Sequence, residues 1–224
     1  KKYLVYGYKS QYKENNSFYK NIKRISPGSI LSINSKLKFE ENIYWKLKHN
    51  PDKKNFTQLD FKKLQKVFFE SIESRLISDV PLSFSLSGGV DSNALVAVAS
   101  KVYGIKAQTF SIINSDARYN EEKLIDISAK YLKVDNKKIK IDKKNFLPNL
   151  QKLIKYHDKP ISTISFYLQS QLYKNVKKNN YKVMLNGAAA DEIFTGYYDH
   201  HLAFLYEIRN NKKLFNEAKN KWET

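Results

Sequence analysis

The hexapeptide Ser87-Gly88-Gly89-Val90-Asp91-Ser92 constrains this chain most. It follows a short apolar run, Pro81–Leu86, and opens a segment, Asp91–Tyr103, in which Ala94, Leu95, Val98, Ala99 and Val102 share one helical face. Two consecutive glycines let a backbone turn sharply and approach a ligand with no side chain in the way. The helix start behind them offers free N–H groups and a positive dipole end, which suits a phosphate. Ser87 and Ser92 add hydroxyl donors. Asp91 repels a bare anion and makes sense where a divalent cation bridges it to phosphates; Mg²⁺ prefers such oxygen ligands. The glycines alone fit an ordinary βα turn with Asp as a cap. The position after a strand and the whole hexapeptide favour the phosphate loop. No Lys follows as in GxxxxGK[ST], so a kinase-type γ-phosphate grip is not implied.

The surrounding pattern points to an α/β fold, a parallel sheet with helices on both faces. Strands are expected at Pro81–Leu86, Lys106–Ile112, Lys137–Ile141 and Tyr181–Leu185. Helices are expected at Asp91–Tyr103, Glu121–Leu132, 144–156 and 163–178, and from Phe194 to the end. A further helix carries Phe61, Leu64, Phe68, Ile72 and Leu76, with Thr57 as its N-cap. Residues 1–47 read as β-rich, with a turn at Ile25–Gly28 and strands at Ser29–Asn34 and Asn42–Leu47. A polar, Pro-containing stretch at 48–56 is placed as a linker. The expected organisation is thus a small β-rich segment, 1–50, followed by a domain from 57 to 224.

In such folds ligands sit at the carboxyl ends of the strands. Asn186-Gly187-Ala188-Ala189-Ala190-Asp191-Glu192 follows the last strand there: its small residues permit close approach, and its acids could bind metal or simply cap a helix. Phe110-Ser111-Ile112, at the end of the second strand, is either a wall for an adenine ring or plain buried strand.

Composition removes several alternatives. Of 224 residues 42% are hydrophobic, so a real core can form. There is no Cys, which excludes disulfides, a thiolate zinc site and a cysteine nucleophile in this segment. That fits a reducing compartment, and the cytoplasm is the expected location. No run of eighteen apolar residues exists, so no membrane partner is expected. The net charge of +18 invites nucleic acid, yet all but four of the 40 basic residues are Lys, scattered throughout. Nucleic-acid surfaces favour Arg forks, so a solvated Lys-rich surface is the better account. Lys1-Lys2-Tyr3 is neither a signal peptide nor an initiator Met, and the chain is expected to be a piece of something longer.

At these residues the chain resembles the asparagine synthetase family of glutamine-dependent, ATP-consuming amidotransferases. Ser87–Ser92 matches its SGG[LV]DS loop, Ser78–Leu82 its SDVP stretch and Thr109–Ile112 its TFS[IV] segment. Arg118-Tyr119-Asn120-Glu121 resembles its RYDE, and His157–Ile161 its DEPI. Leu185–Tyr197, LNGAAADEIFTGY, resembles its LSGEGADELFGGY, while Ile22–Ile33 and Tyr44-Trp45 look like the last strands of its N-terminal glutaminase domain. The resemblance covers nearly the whole chain. The hexapeptide by itself occurs in several ATP-pyrophosphatases, including tRNA-thiolating enzymes.

The resemblance implies ATP as nucleotide and Mg²⁺ as metal. It implies adenylation of a carboxylate, aspartate or a related acid, followed by attack of ammonia supplied by a glutaminase domain, as in asparagine biosynthesis. Carried over by position, Ser87, Gly88, Gly89, Val90, Asp91 and Ser92 hold the pyrophosphate. Leu86, Ser111, Ile112, Asn186 and Gly187 hold the adenosine part, and Asp91 and Asp191 act in catalysis as metal ligands. A homodimer is one assembly the resemblance allows.

One departure matters. Ala188 stands where the family has Glu, the expected proton acceptor when ammonia attacks. A positioned base is worth about a hundred- to ten-thousand-fold in rate. The base could come from elsewhere, from Asp199, His200 or His201 among others. The chain could instead be an ATP-binding relative without activity, or belong with amidating enzymes that act on sugar carboxylates in polysaccharide biosynthesis. The family's glutaminase nucleophile, an N-terminal Cys, has no counterpart here, so this segment alone is expected to be incomplete.

Overall fold

The computed structural model of the protein describes residues 1–12, 14–48, 57–141 and 144–223. Apart from Lys48, the expected linker lies outside the described residues. Two units emerge, Lys1–Lys66 with Ile141–Lys174, and Val67–Lys140 with Asn175–Thr224.

The first unit is less β-rich at its start than expected. It opens with helix α1 (Lys2–Tyr6) and a 3₁₀ turn, Tyr8–Gln11, separated by Gly7 in a positive-φ conformation. Strands β1 (Ser29–Ile33) and β2 (Phe39–Ile43) form an antiparallel hairpin in which Ile33 faces Phe39. The Asn34 side chain closes the connection by accepting from the N–H groups of Lys36 and Lys38, both at 3.0 Å. The second strand therefore falls three residues earlier than the expected Asn42–Leu47. Its ladder ends where the N–H groups of Tyr44 and Trp45 both turn onto the Gly28 carbonyl. Gly28 has φ 66°, and any Cβ there would collide with the Trp45 carbonyl.

Helix α2 (Gln58–Leu76) starts at the expected cap. The Asp60 carboxylate accepts from the Thr57 N–H at 3.0 Å, and the Thr57 hydroxyl accepts from the Asp60 N–H at 3.3 Å. Of its apolar face Ile72 is buried, whereas Phe61 and Leu64 are exposed. Helices α5 (Phe146–His157) and α6 (Ile164–Lys178) contribute Phe146 and Tyr167, whose rings meet edge-on at 4.8 Å. The Tyr3 hydroxyl and the Gln11 amide donate to the carbonyls of Ile161 and Pro160, tying the amino-terminal segment to the turn before α6.

The second unit holds the parallel sheet, of strands β3 (Leu82–Ser85), β4 (Gln108–Ile113), β5 (Asp135–Lys140) and β6 (Val183–Leu185) in the order β5-β4-β3-β6. Ser83 and Phe84 point to opposite faces, and both are fully buried, so the centre of the sheet is covered on each side. Helix α3 (Val90–Ala97) leads from β3 towards β4, and α4 (Glu122–Leu132) from β4 towards β5. The core gathers Phe84, Leu86, Val96, Ala99, Ile113, Ile125 and Leu132. The expected helix to Tyr103 changes pitch at its end: Val98–Val102 is π-helical, with the Tyr103 N–H on the Val98 carbonyl. The Ser100 hydroxyl takes the Val96 carbonyl at 2.7 Å, competing for the acceptor an α-helical turn uses there.

Beyond β6 the chain is not one continuous helix. It forms α7 (Ala190–Phe194), α8 (Tyr198–Glu207) and α9 (Lys212–Glu223). The break before α9 is set by Asn211, whose side chain accepts from the Leu214 N–H at 3.2 Å. Because β4 lies on one side of β3 and β6 on the other, the connections diverge at the carboxyl ends of β3 and β6. That is where an open parallel sheet leaves a crevice.

Candidate nucleotide site

The glycine loop begins directly after β3 and is braced mostly from within. The Ser92 hydroxyl lies 2.8 Å from the Ser87 hydroxyl and accepts from the Ser87 N–H at 3.0 Å. The Gly89 N–H donates to the Ser87 hydroxyl at 3.1 Å. The Asn93 amide spans the turn, donating to the carbonyls of Ser87 and Gly89 at 2.9 and 2.7 Å. Asn93 carries no motif signal of its own; its place four residues into a loop-helix junction was the only clue.

This bracing consumes carbonyls and hydroxyls but leaves the helix donors alone. Gly89 caps α3 without a side-chain hydrogen bond. Among the described residues, no acceptor reaches the N–H groups of Val90, Asp91 and Ser92. Three unpartnered amides at a helix start form an anion site, strengthened by the helix dipole.

The loop after β6 closes against this start. Leu185 pairs with Phe84, so Asn186 and Gly187 emerge level with the end of β3. A Cβ on Gly187 would lie 3.0 Å from the Asp91 Cβ and from the Ser92 nitrogen. The two segments that the sequence marks as small and polar therefore touch. Ala188, exposed, donates its N–H to the Asn186 side chain at 3.0 Å and presents no ionisable group.

The expected adenosine wall divides into buried and open parts. Leu86 and Ser111 are each 1% exposed, so their side chains are structural. The Ser111 hydroxyl donates to the Leu86 carbonyl at 2.6 Å and lies 2.9 Å from the Asn136 side-chain oxygen. Ile112 is half-buried, Asn186 is exposed and Gly187 is half-buried.

Acidic groups gather on α7. The Tyr197 hydroxyl donates to the Glu192 carboxylate at 2.9 Å. That bond, then burial, then the charges of Glu192, Asp191 and Asp91 raise the Tyr197 phenol above its ordinary range. Asp191 follows the end of β6 and Asp91 the end of β3, the two strand ends joined by the Gly187 packing. Among the described residues, no set of three or more His, Cys, Asp or Glu could hold a metal unaided. Two carboxylates fit Mg²⁺ that arrives with phosphates and water as its other ligands. Ala189 (φ 72°) and Thr195 (φ 68°) flank α7 in positive-φ backbone, a conformation that costs non-glycine residues about 1–3 kcal/mol.

The histidines are differently engaged. His200 accepts the Gly196 N–H on Nδ1 at 3.2 Å, so its neutral ring carries the proton on Nε2. His201 stacks on Trp222 at 5.9 Å.

A parallel α/β sheet with an uncapped glycine loop at its divergence point defines a nucleotide-binding class of protein. Residues 63–223 match the asparagine synthase family, and the chain belongs to that family. It is 28% identical over 177 residues to asparagine synthetase [glutamine-hydrolyzing] 1 of Bacillus subtilis, covering 79% of this chain and 28% of that protein. It is 30% identical over 190 residues to putative asparagine synthetase [glutamine-hydrolyzing] 2 of Methanocaldococcus jannaschii, covering 82% of this chain and 36% of that one. The chain therefore spans about a third of the length of these relatives. Among solved structures, NH3-dependent NAD synthetase from Campylobacter jejuni aligns with a TM-score of 0.41 at 15% identity, over 60% of this chain and 59% of that one.

Proposed function

We propose that this chain is the ATP-using part of a glutamine-dependent amidotransferase. Its reaction joins ammonia to a carboxylate, aspartate or a related acid, with AMP and pyrophosphate as the other products. The observation that carries this reading is the trio of amides at Val90, Asp91 and Ser92, without partners among the described residues, with Gly187 packed against Asp91 and Ser92. Those amides bind the β- and γ-phosphates, while the hydroxyls of Ser87 and Ser92 hold the loop in shape. Asp91 and Asp191 hold Mg²⁺, which when bound neutralises the phosphates and the charge that develops as pyrophosphate departs.

The chemistry follows from that placement. A carboxylate oxygen of the acid bonds to the α-phosphorus while the α–β anhydride breaks, and pyrophosphate leaves with the bonding electrons. Ammonia then bonds to the acyl carbon, AMP leaves, and one ammonia proton passes to a base. Family membership, the loop and the Asp191 turn support this reading. The edges of Ile112 and Asn186 offer the adenosine its surroundings; the main-chain groups of Leu86 are engaged with Phe110 and Ser111, so Leu86 shapes the wall from beneath.

Ala188 supports a second reading, a relative that binds ATP without making amide. Amidation of a sugar carboxylate is a third, in which the acceptor's own geometry relaxes the need for a base at 188. Isotope exchange between pyrophosphate and ATP, run on the full-length protein with aspartate and a panel of uronic acids, separates them. Exchange with one acid identifies the acceptor class. ATP binding without exchange favours the binding-only relative. Failure to bind ATP at all defeats the nucleotide-site reading.

A further inference from the structure

Glu121 stands out among the side chains near the loop. It sits just before α4, where acidic side chains normally cap the helix. Glu121 occupies the N-cap position, its carbonyl accepting from the Ile125 N–H, yet its side chain makes no capping bond; the neighbouring Asn120 side chain accepts from the Glu122 N–H at 2.9 Å instead. Glu121 is left to reach across 33 residues of sequence, and its carboxylate accepts from the Gly88 N–H at 2.9 Å. The start of α4 is itself anchored. Lys138 on β5 donates to Glu122 at 2.9 Å and to Asp126 at 2.8 Å, and Asp126 followed by Glu122 raises its pKa above the ordinary lysine range.

Gly88 is also packed on that side. A Cβ there would stand 3.1 Å from the Glu121 Cβ and from Leu124 Cδ1. The first glycine of the loop is therefore seated on α4, with its amide already satisfied by an anionic group. Among the described residues, the amides of Val90, Asp91 and Ser92 have no such partner.

We propose that Glu121 is a positioning residue for the phosphate loop: by holding the Gly88 amide against α4 it sets the turn so that the next amides converge on the phosphates. This rests on the loop being the pyrophosphate site. It assigns Gly88 to anchoring and leaves phosphate contact to the residues after Gly89. The carboxylate works as a hydrogen-bond acceptor, so an uncharged side chain of the same length can replace it.

The test uses the full-length protein, titrated with inorganic pyrophosphate and with ATP in the presence of Mg²⁺, alongside hydrogen exchange at the Gly88 amide. Glu121→Ala is expected to weaken both ligands by roughly tenfold or more, the weight of one charge-assisted hydrogen bond. Exchange at Gly88 accelerates, while the melting temperature stays put because the residue is exposed. Glu121→Gln, whose oxygen accepts the same N–H, restores affinity to within about threefold of the natural protein. Unchanged or tighter binding by the Ala variant overturns the proposal, the latter revealing a carboxylate that competes with phosphate. Failure of Gln to rescue overturns it too. Should the natural protein bind neither ligand, the site reading falls, and slow, Glu121-dependent exchange at Gly88 still decides whether the contact holds the loop.

Discussion

Gly187 lies against Asp91 with no room for a side chain: a Cβ on the glycine would come within 3.0 Å of the aspartate Cβ. Ninety-six positions of sequence separate them, yet this contact brings the β6 loop onto the start of α3. Gly187→Ala is expected to push the loop off the helix, at about 1–3 kcal/mol of overpacking. Calorimetric titration should show ATP affinity falling roughly two- to tenfold if half of that strain is relieved by moving the loop. Affinity equal to that of the natural protein means that the contact does not shape the site.

Ala188 offers a gain-of-function test. It is exposed, so Ala188→Glu is expected to change stability by less than about 0.5 kcal/mol. It restores a carboxylate beside the loop, and a positioned base contributes about a hundred- to ten-thousand-fold. Amide formation by the full-length protein is expected to rise by at least tenfold, measured by product mass spectrometry. An unchanged rate means that the proton leaves by another route.

Ser111 fastens the last residue before the loop. Its buried hydroxyl donates to the Leu86 carbonyl, so Ser111→Ala leaves a buried acceptor without its donor. The expected loss is about 1–3 kcal/mol in urea denaturation. A loss below 0.5 kcal/mol shows that the carbonyl finds another partner.

Tyr197 gives a pH signature. Its phenol is raised chiefly by its bond to Glu192, so the neutral, hydrogen-bonded form is the favoured one. The contribution to stability is complete below the ordinary tyrosine range near about 10 and fades as pH climbs through the raised value. With 16 tyrosines in the chain, the signal is read as the difference between the ultraviolet titrations of the natural protein and Tyr197→Phe. The difference curve is expected to titrate late, and Glu192→Ala to bring it back towards the ordinary range. An ordinary midpoint in the natural protein shows that the bond does not persist in solution.

Much of the fold was legible because its signals are local. The turn at Gly28, the capping of α2 by Thr57 and the alternation of β3, α3, β4, α4 and β5 depend on residues within a few positions of one another. The errors fell where distant partners or side chains intervene. The second hairpin strand moved to Phe39–Ile43 because pairing with Ser29–Ile33, and the Gly28 carbonyl, outrank local strand propensity. The helical tail broke at Asn211, and the end of α3 loosened into a π turn beside the Ser100 hydroxyl.

The hexapeptide 87–92 by itself determined that a strand must hand over to a helix through a backbone able to meet an anion, since two glycines and a helix start have that property wherever they occur. Only the tertiary structure decided that β6 pairs with β3, setting Gly187 on Asp91, and that the Glu121 side chain reaches Gly88 rather than capping its own helix. Such choices join residues far apart in the chain. They are settled by which contacts can be satisfied together once the sheet has formed, and no local propensity encodes that.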